Sequence, residues 1–353
     1  MSKPDLRGME MEEVELMLRE MGEPAYRGRQ VFQWVQARGE TDFSQMSNLP
    51  TRLRERLAER GMITKLKVLQ ARQSRAGDTA KYLLEMPDEE TVETVLMSYT
   101  GREARDRYTV CVSSQVGCAM GCRFCATGLS GWQRNLSAGE ITGQVLTVQQ
   151  LLRFNRPEAN VTNVVFMGMG EPLLNYNEVV RAIRILNHPQ GLNISMRRIT
   201  VSTCGLVPEM RRLASEGMPV VLAVSLHAPS DRLRDQLVPV NRKYPLEELM
   251  AACRDYIRAV NRRVTFEYAL ISGINDTSDH ARQLAGLLHG MLANVNVIPV
   301  NAVEEAGYSP PSPWRVKEFV AELKERGVEA VVREEKGSDI DAACGQLRRK
   351  RLR

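Results

Sequence analysis

The sequence predicts an α/β protein, a partial (β/α) barrel preceded by a small helical domain and an antiparallel strand extension. Three observations carry that expectation. Residues 1–62 place apolar side chains at three- and four-residue spacings, as helices do; residues 63–106 switch to strand-like runs broken by turn residues; and from residue 107 onward β-rich apolar runs alternate with helix-length amphipathic segments. Residues 107–300 are expected to form the barrel, and residues 301–353 a C-terminal loop, helix and strand with a basic tail.

In the first part, "EMEEVELMLREMG", "YRGRQVFQWVQARG" and "LPTRLRERLAERG" read as three helices, each closed by a glycine. The runs "KLKVLQARQ", "TAKYLLEM" and "TVETVLMSY" follow as strands, with "AGD" and "PDEE" as hairpin turns between them. The barrel strands are "YTVCVSS", "NVVFMG", "RITVST", "VVLAVSLH", "VTFEYALI", "VNVIPV" and "EAVVRE". Such an order implies parallel pairing through helical crossovers, and in sheets of that kind ligands sit at the carboxyl ends of the strands. The polar and glycine residues just past those ends, Gly168 to Glu171, Ser202, Ser225, His227 and Asn301, therefore read as fragments of one site. The segment "EEAGYSPPSPW" is expected to be an exposed loop, after which Ser312 caps a last helix with Pro313 in its first turn and Gly327 past its end.

A chain of 353 residues can bury a large core. It carries no basic start followed by an apolar run and no uncharged stretch of membrane-spanning length, so a cytoplasmic protein is expected. Seven cysteines, several in apolar segments, fit a reducing compartment, where thiols serve metal binding or chemistry. The balance of 48 Lys plus Arg against 43 Asp plus Glu is only mildly basic and by itself barely favours a nucleic-acid partner. The terminal "LRRKRLR" is a charge run of the kind that either stays solvated or meets phosphate.

The densest chemistry lies in "CVSSQVGCAMGCRFCATG". Cys118, Cys122 and Cys125 follow the first barrel strand in C-x-x-x-C-x-x-C spacing, in a loop whose glycines let the backbone wrap closely around a bound object. Structural zinc takes four protein ligands, commonly as two separated pairs, and no second pair stands nearby; zinc and unrelated thiols remain as alternatives. A cubane iron-sulfur cluster on three cysteines leaves one iron open. This spacing, with Phe124 before the third cysteine, resembles the radical S-adenosylmethionine (SAM) superfamily. The resemblance implies a [4Fe-4S] cluster on Cys118, Cys122 and Cys125, whose open iron binds the amino and carboxylate groups of SAM and whose electron breaks the sulfonium to release an adenosyl radical. "FMGMGEP", ending the next strand, is similar to the superfamily's glycine-rich segment that holds the methionine amine, with Glu171 as acceptor.

Over nearly the whole chain, "CVSSQVGC", "MGMGEPLLN", "VSTCG", "VSLHAP" and "GSDIDAACGQL" together resemble the dual-specificity radical-SAM RNA methyltransferases, which modify C2 of an adenine in 23S ribosomal RNA and in tRNA. Carbon 2 of adenine is too electron-poor for ordinary methyl-cation transfer. The resemblance implies two SAM per turnover: one methylates Cys344, and the second yields the radical that activates that methyl group for addition to the base. Cys111 then attacks the Cys344 sulfur, forming a disulfide and freeing the RNA. Glu93, which alternates on its strand with Val95 and Met97, matches the family's proton acceptor, and burial is expected to raise its pKa. SAM contacts carry over to Gly170, Glu171, Ser202, Ser225, Leu226, His227 and Asn301, although His227 could equally be a core histidine satisfied by backbone. Cys204 and Cys253 read as packing residues.

RNA contact is expected through the helical domain, with Arg27, Arg29, Arg52, Arg54 and Arg56, and the target base must be splayed out to enter a buried site. An electron donor such as flavodoxin or ferredoxin and a monomeric state are also expected. Two rivals stand beside this reading. A sister family methylates C8 of the same adenine by the same machinery and confers antibiotic resistance; a non-catalytic iron-sulfur or zinc RNA-binding protein would leave the pairing of Cys111 with Cys344 unexplained.

Overall fold

The computed structural model describes residues 3–101, 104–301, 303–334 and 336–347. The terminal basic tail lies outside the described residues.

Three helices open the chain. In α1 (Met11–Glu20), Glu10 and Glu13 form a reciprocal capping box and Met11, Val14 and Leu18 turn inward. In α2 (Ala25–Gln36), Val31, Phe32 and Val35 are buried, and Gly28 meets α1 so closely that a Cβ there would lie 2.8 Å from the Glu15 Cα. In α3 (Thr51–Arg60), Leu53 and Leu57 complete this small core. The expected glycine closures divide: Gly22 has φ +75°, whereas Gly61 is extended at φ −131° and is small because Leu6 packs against it. Arg7, almost fully buried, donates to the Gly39 and Glu40 carbonyls, while its own carbonyl accepts from Gln36 and Thr142. That exchange ties the helical domain to the barrel.

The extension comprises β1 (Lys67–Gln73), β2 (Thr79–Glu85) and β3 (Thr91–Gly101), paired antiparallel through the two turns expected from the sequence. Strand β4 (Ala104–Cys111) joins the two halves of the molecule, being antiparallel to β3 and parallel to β7 (Asn163–Phe166). Between them lie a two-stranded sheet of β5 (Gln115–Gly117) and β6 (Trp132–Asn135), the short helix α4 (Ala126–Leu129), and α5 (Ala138–Asn155), capped by Ser137 and Glu140.

The alternation continues with α6 (Tyr176–Asn187), β8 (Ile199–Thr203), α7 (Val207–Ser215), β9 (Val221–Ser225), α8 (Asp231–Leu237), α9 (Leu246–Val260), β10 (Val264–Leu270), α10 (Ser278–Leu288), β11 (Ala293–Pro299), α11 (Pro313–Glu325) and β12 (Glu329–Val332). The sheet order is β1-β2-β3-β4-β7-β8-β9-β10-β11-β12, parallel from β4 onward, with β1 and β12 at its edges. The expected partial barrel is therefore an open one. Its core is built from inward residues such as Val164, Phe166, Val201, Leu222, Val224 and Phe266, each essentially inaccessible to water. Burying one such side chain stabilises the fold by about 1.5–3 kcal/mol. Ser312 caps α11 by accepting from the Arg315 amide, and Gly327 beyond it has φ +77°. Among the described residues, no helix is long and apolar enough to cross a membrane.

Candidate active site at the strand ends

The parallel strands deliver their carboxyl ends to one rim, where two neighbouring cavities open. The first, of about 160 Å³, is lined by all three cysteines of the spaced set together with Gly170, Glu171, Ser202, Ser225, His227 and Asn301. The second, of about 320 Å³, is lined by Cys111, Cys344, Tyr99, Arg333 and Lys336. Asn301, Arg333 and Cys344 belong to both.

Close backbone approach builds the first cavity. Past β4, the Ser113 hydroxyl donates to the Glu93 carbonyl at 2.8 Å and accepts from the Met169 amide at 2.9 Å, drawing the glycine-rich segment onto the strand end. At Gly170, φ is +99° and a Cβ would stand 2.6 Å from the Gln115 Cβ, so a side chain is excluded by both conformation and space. Glu171 is buried, and its two oxygens accept from the Leu173 amide at 3.0 Å and the Cys204 amide at 2.8 Å. Burial raises its pKa, against those hydrogen bonds.

In the cysteine loop, Gly117 has φ +75° and admits the Gly131 carbonyl where a Cβ would be. Burial pushes the Cys118 thiol up to about 12 and raises Cys122 and Cys125; the Cys125 sulfur adds to the shift at Cys118, those of Cys125 and Cys118 to the shift at Cys122, and that of Cys344 to the shift at Cys125. Three such thiols become thiolates only against a compensating cation. Among the described residues no three His, Cys, Asp or Glu side chains converge on a single ion. A polynuclear cluster gives each thiolate its own iron, so the donor set, three sulfurs on one wall, fits a cubane with a free corner.

His227 has φ +60°, its Nδ1 accepts from the Ala269 amide at 2.9 Å, and Phe124 of the cysteine loop meets its ring edge-on at 4.6 Å. Burial pushes its pKa down to about 3, with the Arg234 charge adding to the effect. The ring is satisfied by backbone, as a core histidine would be, and it also lines the cavity. With Nδ1 accepting, the ring proton belongs on Nε2. Leu226 is different: its side chain lies in the core rather than on the cavity, and its carbonyl accepts from Arg234. Cys204, expected to be only a packing residue, lines the cavity as well, whereas Cys253 is buried in the core.

Docking of the C-terminal segment brings Cys344 to the rim. The Ala126 amide donates to the Gly345 carbonyl at 2.8 Å, Thr127 donates to the Leu347 carbonyl, and Asn301 Nδ2 donates to the Cys344 carbonyl at 2.9 Å. Cys111 ends β4 opposite Val95 of β3 and is 7 % exposed. All seven cysteines are free, so the disulfide expected from the resemblance is not present in this structure.

Glu93 is buried as anticipated, and Lys81 of β2 lies 2.9 Å from its Oε1, so the carboxylate sits in an ion pair. Neither cavity includes Glu93 in its lining. Lys81 also donates to the Asp341 carbonyl at 3.0 Å, linking the extension to the C-terminal segment. Pattern reading missed Lys81 because a lysine two residues into a strand reads as solvated.

Two arginines were also missed. Arg234 is wholly buried and donates to the Leu226, Cys204 and Ser225 carbonyls and to Asn241 Oδ1, stapling the ends of β8 and β9. Within "SDRLRDQL" nothing separates it from a surface arginine. Arg333 stood in a run read only as a strand. Of the arginines assigned to RNA, Arg29 pairs with Glu15, Arg56 with Glu23, Arg27 meets Gln30 and Asn48, and Arg54 meets Ser44 and Thr51, so their charge is partly engaged within the helical domain.

Similarity to known proteins agrees with this geometry. A family model described as the radical SAM superfamily matches residues 112–285, and one described as the ribosomal RNA large subunit methyltransferase N-terminal domain matches residues 4–63. A protein of Desulfitobacterium hafniense named "Probable dual-specificity RNA methyltransferase RlmN" is 51 % identical over 349 residues, covering 99 % of this chain and 97 % of the relative. A Moorella thermoacetica protein of the same name is 51 % identical over 344 residues, covering 98 % of this chain and 97 % of the relative. The crystal structure of a radical SAM methyltransferase from Sphaerobacter thermophilus superposes with a TM-score of 0.92 at 48 % identity, covering 98 % of this chain and 99 % of that one. The chain belongs to the RlmN-type dual-specificity RNA methyltransferases of the radical SAM superfamily.

Proposed function

We propose that this protein methylates C2 of an adenine in RNA, at the peptidyl transferase centre of 23S rRNA and at adenine 37 of tRNA, with Cys344 as the carrier of the methyl group. The observation that supports this reading best is the meeting of Cys111 and Cys344, remote in sequence, at one cavity that shares Asn301 and Arg333 with the three-cysteine cavity. Bound to Cys118, Cys122 and Cys125, a [4Fe-4S] cluster supplies the electron that cleaves the SAM sulfonium.

The chain's own residues divide the remaining work. Gly170 lets the strand end close onto Gln115 and so shapes the pocket for the methionine end of SAM, and Glu171 presents a carboxylate whose charge suits an ammonium group. Ser202, Ser225 and Asn301 offer polar contacts to the nucleoside, and His227 offers a neutral ring with one N–H. Leu226 supports the pocket from the core behind it. Cys344 takes the methyl group on sulfur and delivers it to the base. Cys111 then forms an S–S bond to Cys344 as the Cys344 S–C bond breaks, and Glu93 takes the C2 proton, Lys81 holding the carboxylate in place beforehand.

The test is anaerobic reconstitution with iron and sulfide, followed by incubation with SAM, a reductant and an RNA fragment. Expected are 5'-deoxyadenosine and 2-methyladenosine, identified by mass spectrometry of the digested RNA. 8-Methyladenosine would overturn the regiochemistry, and absence of SAM cleavage would overturn the catalytic reading in favour of an RNA-binding protein.

A further inference from the structure

Cys111 poses a physical difficulty for the reaction proposed above, on which this inference rests. The attacking sulfur must be a thiolate. Yet burial pushes the Cys111 thiol up to about 12, and the Cys344 sulfur pushes it the same way. The Arg333 charge and the Met167 backbone pull the thiol the other way, so without Arg333 it would be harder still to ionise.

One arrangement opposes both effects. Arg333 leaves β12 with its amide donating to the Val297 carbonyl of β11 at 2.9 Å, which fixes the backbone at the rim. Its guanidinium lies 3.5 Å from Glu267 Oε2 and 3.6 Å from Met167 Sδ. The charges acting on it are led by Cys344, followed by Glu267, Cys111 and Tyr99. Glu267 is itself anchored, with Oε1 accepting from Asn296 Nδ2 at 2.9 Å, while Oε2 has no hydrogen-bond partner among the described residues and faces the guanidinium.

The other charged groups around Cys111 are already committed. Lys336 pairs with Asp78 and Glu334 and stands over the Tyr99 ring at 4.5 Å, and Lys81 pairs with Glu93. Arg333, though paired with Glu267, lines the second cavity beside both Cys111 and Cys344, and its charge pulls the Cys111 thiol down.

We propose that Arg333, held by Glu267, is the positioning residue that presents Cys111 as a thiolate to the Cys344 sulfur. The Cys111 lone pair forms the S–S bond, the Cys344 S–C bond breaks, and its electron pair goes to the departing carbon, which takes up a proton. The two electrons the carbon gains are those the sulfur pair loses, so no external oxidant enters. Arg333 keeps its proton throughout, as a guanidinium does.

The test needs neither RNA nor SAM. Cluster-loaded protein, kept anaerobic, is treated with iodoacetamide from about pH 6 to about pH 10, and label on Cys111 is followed by peptide mass spectrometry. Arg333→Met is expected to slow Cys111 labelling at neutral pH by about tenfold or more and to move its pH midpoint upward. Arg333→Lys, which keeps the charge, should recover most of the rate, and Glu267→Gln should fall between the two. A variant that failed to fold would label faster, because an exposed thiol returns toward its ordinary value, so misfolding reads in the opposite direction. Three results would overturn the proposal: Met behaving like arginine, Lys proving as slow as Met, or Cys111 of the unaltered protein resisting label throughout. If labelling follows expectation while no RNA is methylated, the functional reading fails and the role of Arg333 stands.

Discussion

The two cavities share five residues and a rim, yet they are built on different physical principles. The first is made by backbone approach. Glycines at 117, 168 and 170 let strand ends and loops crowd together, and three of its thiols come from one eight-residue stretch. The second is made by charge. Cys111, Tyr99, Arg333, Lys336 and Cys344 come from β4, β3 and the segment after β12, and the ion pairs Lys81–Glu93, Lys336–Asp78 and Arg333–Glu267 hold the surroundings in register. A site of the first kind tolerates changes of charge better than changes of volume; the second kind should behave in the opposite way.

The largest effect that would test this contrast is at the cysteine loop. Cys118→Ser is expected to abolish cluster retention and SAM cleavage together, read as iron and sulfide content and 5'-deoxyadenosine, while leaving Cys111 and Cys344 free to be labelled. Retention of a full cluster would remove Cys118 from the ligand set. Next in size, Cys111→Ala should permit base attachment but block release, leaving a protein–RNA adduct through Cys344 on denaturing gels, whereas Cys344→Ala should give neither adduct nor methylation. A fully active Cys111→Ala protein would refute the resolving role.

Lys81→Met sharpens the comparison on stability. It removes the ion-pair partner of a buried carboxylate, which is expected to cost about 3–5 kcal/mol in denaturant unfolding. Adding Glu93→Leu should recover part of that loss. A cost below about 1 kcal/mol would place the pair among solvated surface bridges instead.

His227 carries the pH dependence of the first cavity. Its folded value of about 3 lies below the ordinary 6.5, so the unfolded chain takes up the proton first. The stability it contributes is present above pH 6.5 and is lost as pH falls toward 3. Against a His227→Gln variant, the unaltered protein should lose about 1.4 kcal/mol of stability per pH unit in that window. Parallel pH curves for the two proteins would show that the ring is not held neutral. The smallest effect is expected at the partition between the cavities: Asn301→Ala removes the 2.9 Å bond to the Cys344 carbonyl and should cost about 1 kcal/mol, with SAM affinity falling a few-fold in isothermal titration. No change in either quantity would make Asn301 a bystander.

The legible parts of this protein were those with short-range causes. Alternating apolar runs announce β7 through β12 because each strand must bury its own faces, and Ser312 with Pro313 marks α11 because a helix start leaves amide groups to satisfy. The cysteine spacing is local for the same reason, since three ligands on one loop need no distant partner to be seen. Cys204 packs in a small apolar cluster, as expected, and it also lines the cavity wall, which pattern alone cannot show.

By itself, then, the sequence determined the order of the elements, the thiol-bearing loop and the glycine-rich strand end, because propensity, periodicity and ligand spacing act within a few residues. Tertiary structure alone decided that Lys81 pairs with Glu93, that Arg234 staples two strand ends from inside, and that Arg333, paired with Glu267, lines one cavity with Cys111 and Cys344. The physical reason is that a charge reads as solvated along a chain; only the folded packing shows which charges have left water, and a charge that leaves water must find its partner wherever the fold brings one.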